Sequence, residues 1–253
     1  MTKEEALFNY SLKLGDSSLV MGHRLSEWTA HGPMLEHDIA VTNIALDHLG
    51  QARLLLTHAG KVEGNDRDED KLAYWRNAQE YRNALLCELP NGDFAQTVIK
   101  MYLFDEFQLA LHQGLTQSAD EDLKGIAEKS IKETKYHLRY SRDWMLRLGD
   151  GTEESHIRLS NGIEEVWMYF GDLFAKSPGE DQLISDQVAP DMEAMRSDIE
   201  GRIAATFEES TLPPPNFEQV MQEGSQEGYH TEHLSYILAE MQSVTRVHPG
   251  ATW

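Results

Sequence analysis

Apolar residues recur every three or four positions over long stretches of this chain, the spacing that gathers them on one face of a helix. Breakers mark where each stretch stops. The first runs from about Lys3 to His31 and halts at Gly32-Pro33, with Pro33 placed to open the next helix. The second covers about 34–63 and ends at Gly64-Asn65. Two more long helices are predicted over about 93–118 and 121–148, the last closed by Gly149-Asp150-Gly151. Shorter, peripheral helical regions are predicted over about 68–89, before Pro90-Asn91-Gly92, and over about 152–246, split by Pro213-Pro214-Pro215. No segment shows the alternation of a strand. The pattern predicts an all-α fold: a four-helix bundle with additional C-terminal helices, one domain over 1–253.

One inward-facing line can be traced along each long helix. The first reads Leu7, Ser11, Leu14, Ser18, Met21, Leu25, Trp28, and the second Val41, Ile44, His48, Gln51, Leu55. The third reads Phe94, Val98, Met101, Asp105, Gln108, His112, Leu115, and the fourth Ala127, Ser130, Thr134, His137, Ser141, Trp144, Leu148. Three of these lines are apolar at both ends and polar in the middle. A buried polar layer must be hydrogen-bonded or it costs free energy.

In carboxylate di-iron bundles that layer is the metal site. It takes a Glu from each of two helices and a Glu-x-x-His pair from each of the other two. Here His48 and Gln51 stand where Glu and His are needed, and Thr134 precedes His137 where Glu is needed. On the first helix Asp16 and Glu27 lie off the inward line, which leaves Asp105 as the inward carboxylate. These degenerate positions are too poor in oxygen ligands for two irons. Two readings stay open: a hydrogen-bonded core layer, or a mononuclear site built from His48, Asp105 and His137.

Other chemistry is sparse. Glu227 and His230 have Glu-x-x-His spacing, with His233 beyond, and read as an exposed pair near the C-terminus. Cys87, the single cysteine, sits in Leu85-Leu86-Cys87 and reads as a small buried hydrophobe. The tail from Arg246 ends in Trp253, a residue expected to dock on its own fold or on a partner. No P-loop, GxGxxG or GxSxG motif is present.

Composition narrows the classes. The net charge of −21 argues against nucleic-acid binding and suits a basic protein partner or simple solubility. No apolar run nears the roughly 18 residues of a membrane span, and no signal segment opens the chain. A cytoplasmic protein is expected.

Several stretches, in order, carry a family resemblance: Leu12-Lys-Leu-Gly-Asp16, Arg24-Leu-Ser-Glu-Trp28, Asn43-Ile-Ala-Leu-Asp47 and Leu49-Gly-Gln-Ala-Arg53. Pro90-Asn-Gly-Asp-Phe94, Lys132-Glu-Thr-Lys-Tyr-His-Leu-Arg139, His230-Thr-Glu-His-Leu234 and Ala239-Glu-Met-Gln242 continue the series. Together they resemble the C-type structural subunits of bacterial phenylacetyl-CoA epoxidases, the ring 1,2-monooxygenases of aerobic phenylacetate catabolism. The resemblance implies a ferritin-like fold and a catalytically silent role with no cofactor in this chain. It implies a sister subunit that carries the di-iron centre and binds the CoA thioester, and a flavin and iron–sulfur reductase that supplies electrons. In that sister an acidic residue and His take the places of His48 and Gln51, and Glu takes the place of Thr134. The apolar faces of the first two helices are expected to meet the sister, and the chain alone to pair with itself. The alternative is an independent ferritin-like metalloenzyme with an atypical His/Asp site.

Overall fold

The computed structural model describes residues 1–251, so Trp253 lies outside the described residues. Every regular element among them is helical. In chain order these are α1 (Lys3–Ser26), α2 (Leu35–Glu63), α3 (Glu69–Tyr74), α4 (Leu85–Glu88), α5 (Phe94–Leu115) and α6 (Glu121–Gly149). Then follow α7 (Glu153–Val166), α8 (Glu180–Ser185), α9 (Met192–Glu209), α10 (Glu232–Met241) and α11 (Ser243–Val247). The four long helices of the periodicity are α1, α2, α5 and α6.

Local chemistry sets their ends. Thr2 and Glu5 form a capping box on α1, and the side chains of Asp93 and Asp120 cap α5 and α6. Gly64, at φ 70°, takes the left-handed conformation that stops α2.

Three boundaries differ from the sequence expectation. The first helix ends at Ser26, not His31, and the chain then turns through Ala30 at φ 68°. Pro33 precedes the second helix instead of opening it, because Met34 is its extended N-cap. Residues 68–89 are not one helix: Asp68 caps α3, Asn77 and Glu80 form a second capping box, and extended backbone follows at Tyr81. Local capping side chains there satisfy backbone groups that a continuous helix would have used.

The chain divides into two compact units. The first comprises Met1–Pro90, Ala175–Ser185 and Gly224–Trp253. Within it α1 and α2 run antiparallel. Gly15 faces Leu55 and Leu56, Gly22 faces Ala45 and Leu49, and Ser11 bonds His58, so rising numbers on one helix meet falling numbers on the other. A Cβ on Gly22 would lie 3.1 Å from the Ala45 carbonyl oxygen, so glycine sets how closely the helices approach. Helix α1 is buried on nearly all sides, since α4, α8 and α10 also pack on it.

That burial takes charges inside. Asp16 is bound by both terminal nitrogens of Arg76 and by the Arg82 backbone N–H. Lys13 pairs with Glu180 at 3.0 Å. Glu88 accepts from Asn83 Nδ2 at 2.9 Å and from the Thr231 backbone N–H. Each pair joins α1 or α4 to a segment outside that helix.

The second unit comprises Asn91–Phe174 and Asp186–Glu223. Here α5 and α6 are antiparallel: His112 meets Thr134 and Asp105 meets Ser141. Helices α7 and α9 pack on both. Gly162 sits against the Gln96 backbone, where a Cβ would come within 2.9 Å of Cα, and Arg202 of α9 pairs with Glu106 of α5 at 2.8 Å.

Candidate functional site

Apart from Trp28 and Phe94, which are half-buried, the first three inward lines are buried where the periodicity places them. On α2, Val41, Ile44, His48, Gln51 and Leu55 are all buried. On α5, Val98, Met101, Asp105, Gln108, His112 and Leu115 are buried; on α6, Ala127, Ser130, Thr134, His137 and Ser141 are. The fourth line slips at its end: Met145 is buried, whereas Trp144 and Leu148 are half-buried. Four residues is slightly more than one turn, and Met145 corrects the drift.

In the α5–α6 pair the polar side chains form a layer. The Ser141 hydroxyl donates to Asp105 Oδ2 at 2.7 Å. Thr134 Oγ1 donates to the Ser130 carbonyl at 3.1 Å, so its oxygen accepts from His112 Nδ1–H at 3.0 Å. A ring nitrogen of His137 lies within 4.8 Å of an Asp105 carboxylate oxygen.

The α1–α2 pair uses the same device. Ser11 Oγ donates to the Leu7 carbonyl at 2.8 Å and accepts from His58 Nδ1–H at 2.9 Å. In both pairs a hydroxyl bonded back to its own helix accepts a hydrogen bond from a histidine on the neighbouring helix. The Nδ1–H tautomer is fixed each time, because the hydroxyl has spent its hydrogen on a carbonyl.

Burial suppresses charge in the α5–α6 layer. It pushes the Asp105 carboxyl up to about 7, with Glu106 adding to the rise; His137 and the Ser141 hydrogen bond pull the other way. Burial, helped by His137, holds His112 down at about 4, so its ring is neutral near neutrality. Asp105 is thus close to half-protonated at pH 7.

The carboxylate inventory is short. The four long helices bury three acidic side chains: Asp16, Asp105 and Glu106. Asp16 is held by Arg76 and Glu106 by Arg202. Asp105 is therefore the buried carboxylate of these helices that faces histidine instead of a guanidinium, and Asp105 with His137 is the pair in this layer able to share an ion.

His230 corrects the expectation of an exposed Glu227–His230 pair. Its side chain is 4% exposed and bonds Glu88 Oε2 through Nδ1 at 3.0 Å and the Tyr81 carbonyl through Nε2 at 3.1 Å. Glu227 itself is exposed. Cys87 is buried, as expected of a small hydrophobe.

Sequence reasoning also passed over the buried ion pairs of the first unit. Asp16 stands off the apolar line of α1, and only the packing of residues 76–82 against that second face buries it. The available signal was the run from Leu12 to Gly22, whose small and apolar residues circle the whole helix.

Comparison with known proteins agrees with this architecture. A family profile described as "Phenylacetic acid catabolic protein" matches residues 1–253. The chain is 43% identical over 244 residues to the C-type subunit of the 1,2-phenylacetyl-CoA epoxidase of Escherichia coli (strain K12), an alignment covering 96% of this chain and 98% of that protein. With its long antiparallel helix pairs and its match from end to end, the chain belongs to the phenylacetic acid catabolic protein family, whose fold is ferritin-like.

Proposed function

We propose that this chain is the non-catalytic, structural C-type subunit of a multicomponent oxygenase that epoxidises the ring of phenylacetyl-CoA, and that the di-iron centre is held by a sister subunit. The relative's name supplies the reaction. The carboxylate inventory carries the silent role. A di-iron bundle needs four inward carboxylates and two histidines, whereas Asp16 and Glu106 are committed to arginines and Asp105 stands with uncharged Ser141 and Thr134. The residues present do not fit a pair of irons.

The contact with the sister is read from α2. Leu35, Ile39 and Leu46 are 72%, 53% and 59% exposed. Their spacing of four and seven residues keeps them on one face of the helix. An exposed apolar stripe of this kind marks a lasting protein interface. Among the described residues no helix is long and apolar enough to cross a membrane, and a cytoplasmic setting completes the reading.

Metal analysis tests the assignment. The chain purified after growth in iron-rich medium and dialysed against a chelator is expected to hold well under one iron per chain. The sister co-purified with it is expected to hold two. Two irons retained by this chain alone would overturn the reading in favour of an independent metalloenzyme. Ile39→Arg with Leu46→Arg is expected to abolish co-purification while leaving helicity unchanged.

A further inference from the structure

Helix α6 carries seven of the 22 lysines and arginines of a chain whose net charge is −21. Its exposed face concentrates them. Lys129, Lys132, Lys135 and Arg139 are all exposed or half-buried, as is Tyr136 at 43% exposure. At about 100° per residue these five lie within about 70° of the direction opposite the buried line Ser130, Thr134, His137 and Ser141. Among the described residues, Lys129, Lys132 and Lys135 have no carboxylate within ion-pair reach, whereas Lys124 and Arg142 on the same helix are paired with Glu121 and Glu209. The Arg139 guanidinium lies over the Tyr136 ring, 5.5 Å from its centroid, which holds both side chains in place. The result is a cationic ridge about 15 Å long at 1.5 Å per residue.

We propose that this ridge is a docking surface for the acidic face of a protein that binds transiently, namely the electron-donating component of the oxygenase. The inference rests on the reading given under Proposed function. Three observations carry it. The ridge is convex, whereas small-molecule sites are concave, so its shape favours a protein surface over a free nucleotide. Its lysines are unpaired in a strongly acidic chain, so they form a local attractor for acidic surfaces that the rest of the molecule repels. It pairs arginine with an exposed tyrosine, the residue types that dominate binding energy at protein interfaces.

The choice of a transient partner follows from chemistry and from contrast with α2. Inserting one atom of O2 into an arene to give an epoxide sends the other oxygen to water and consumes two electrons and two protons. A donor must therefore arrive, deliver two electrons and leave in each cycle. Charged, salt-sensitive contacts suit such an encounter, whereas the apolar stripe of α2 suits a partner that stays.

The test uses the assembled complex of this chain with its sister, turning over phenylacetyl-CoA at low salt while the reductase is titrated. Lys132→Glu, Lys135→Glu and Arg139→Glu combined are expected to raise the half-saturating reductase concentration at least tenfold, with the rate at saturation unchanged. The corresponding glutamine triple variant is expected to fall between. Added salt is expected to weaken the wild-type response toward that of the charge-reversed variant and to leave the variant nearly unaffected. An unchanged reductase titration overturns the proposal. So does failure of the charge-reversed chain to co-purify with the sister, which would assign the ridge to the permanent interface. A shift in the half-saturating concentration of phenylacetyl-CoA instead would overturn it in favour of a nucleotide contact. Absence of turnover in the wild-type complex would instead overturn the functional reading beneath it.

Discussion

The charge pairs around α1 and α4 and the polar layer between α5 and α6 are two contrasting ways of burying polar groups. Around α1 and α4, Asp16 pairs with Arg76, Lys13 with Glu180, and Glu88 accepts from His230 and the Thr231 backbone. These contacts reach from α1 and α4 to segments tens of residues to more than a hundred residues away. The α5–α6 layer of the second unit buries polar groups with little charge, and there Asp105 bonds Ser141 and His112 bonds Thr134 from one helix to the other. Buried ion pairs of the first kind act as clamps that select which segments lie on α1. The layer of the second kind forms hydrogen bonds inside a helix pair that apolar residues also pack, and it leaves Ser130 Oγ and Gln108 Oε1 without a hydrogen-bond partner among the described residues. The contrast is between kinds of contact and not between whole units, since Glu106 with Arg202 is a charge pair in the second unit and Ser11 with His58 an uncharged one in the first.

That contrast is open to attack in order of expected effect. Asp16→Ala strands the Arg76 guanidinium, whose side chain is 3% exposed. The expected loss is about 3–5 kcal/mol in urea unfolding, with Asp16→Leu/Arg76→Met recovering most of it. A loss below about 1 kcal/mol would show that the clamp specifies nothing. Glu88→Ala removes the acceptor of the Thr231 N–H, Asn83 and His230. It is expected to cost about 2–3 kcal/mol and to speed hydrogen exchange across α10 more than across α6.

Asp105→Asn is expected to act with the opposite sign. The folded carboxyl is pushed up to about 7, above its ordinary value of 3.8, so the folded state holds a proton that the unfolded state has released. Between those limits stability falls as pH rises, and above pH 7 the folded state carries the whole cost of a buried carboxylate. Asparagine removes that cost while keeping an acceptor for Ser141. A gain on the order of 2 kcal/mol is expected at pH 8 and none near pH 3. His112 works the other way. Its folded value of about 4 lies below the ordinary 6.5, so it contributes a rise in stability between those pH values. The two slopes oppose in the wild type, and Asp105→Asn should expose the rising one. Thr134→Val is the mildest break: it strips the acceptor from His112 Nδ1–H for about 1 kcal/mol.

The existence of the four long helices and most of the lines they bury follow from residue order. Those properties are local: a 3.6-residue period and breakers such as the glycine after α2. Position on a helix face follows from residue number alone, and the proposal that His48, Gln51 and Thr134 stand in place of metal-binding residues rests on it. Packing of distant segments is what makes Asp16 an interior charge, gives Glu88 to His230 instead of leaving it to Glu227, and breaks residues 68–89 into short pieces. In the first two cases the deciding partner lies on a different segment, and a side chain carries no record of which distant group will neutralise it until the chain has closed around both.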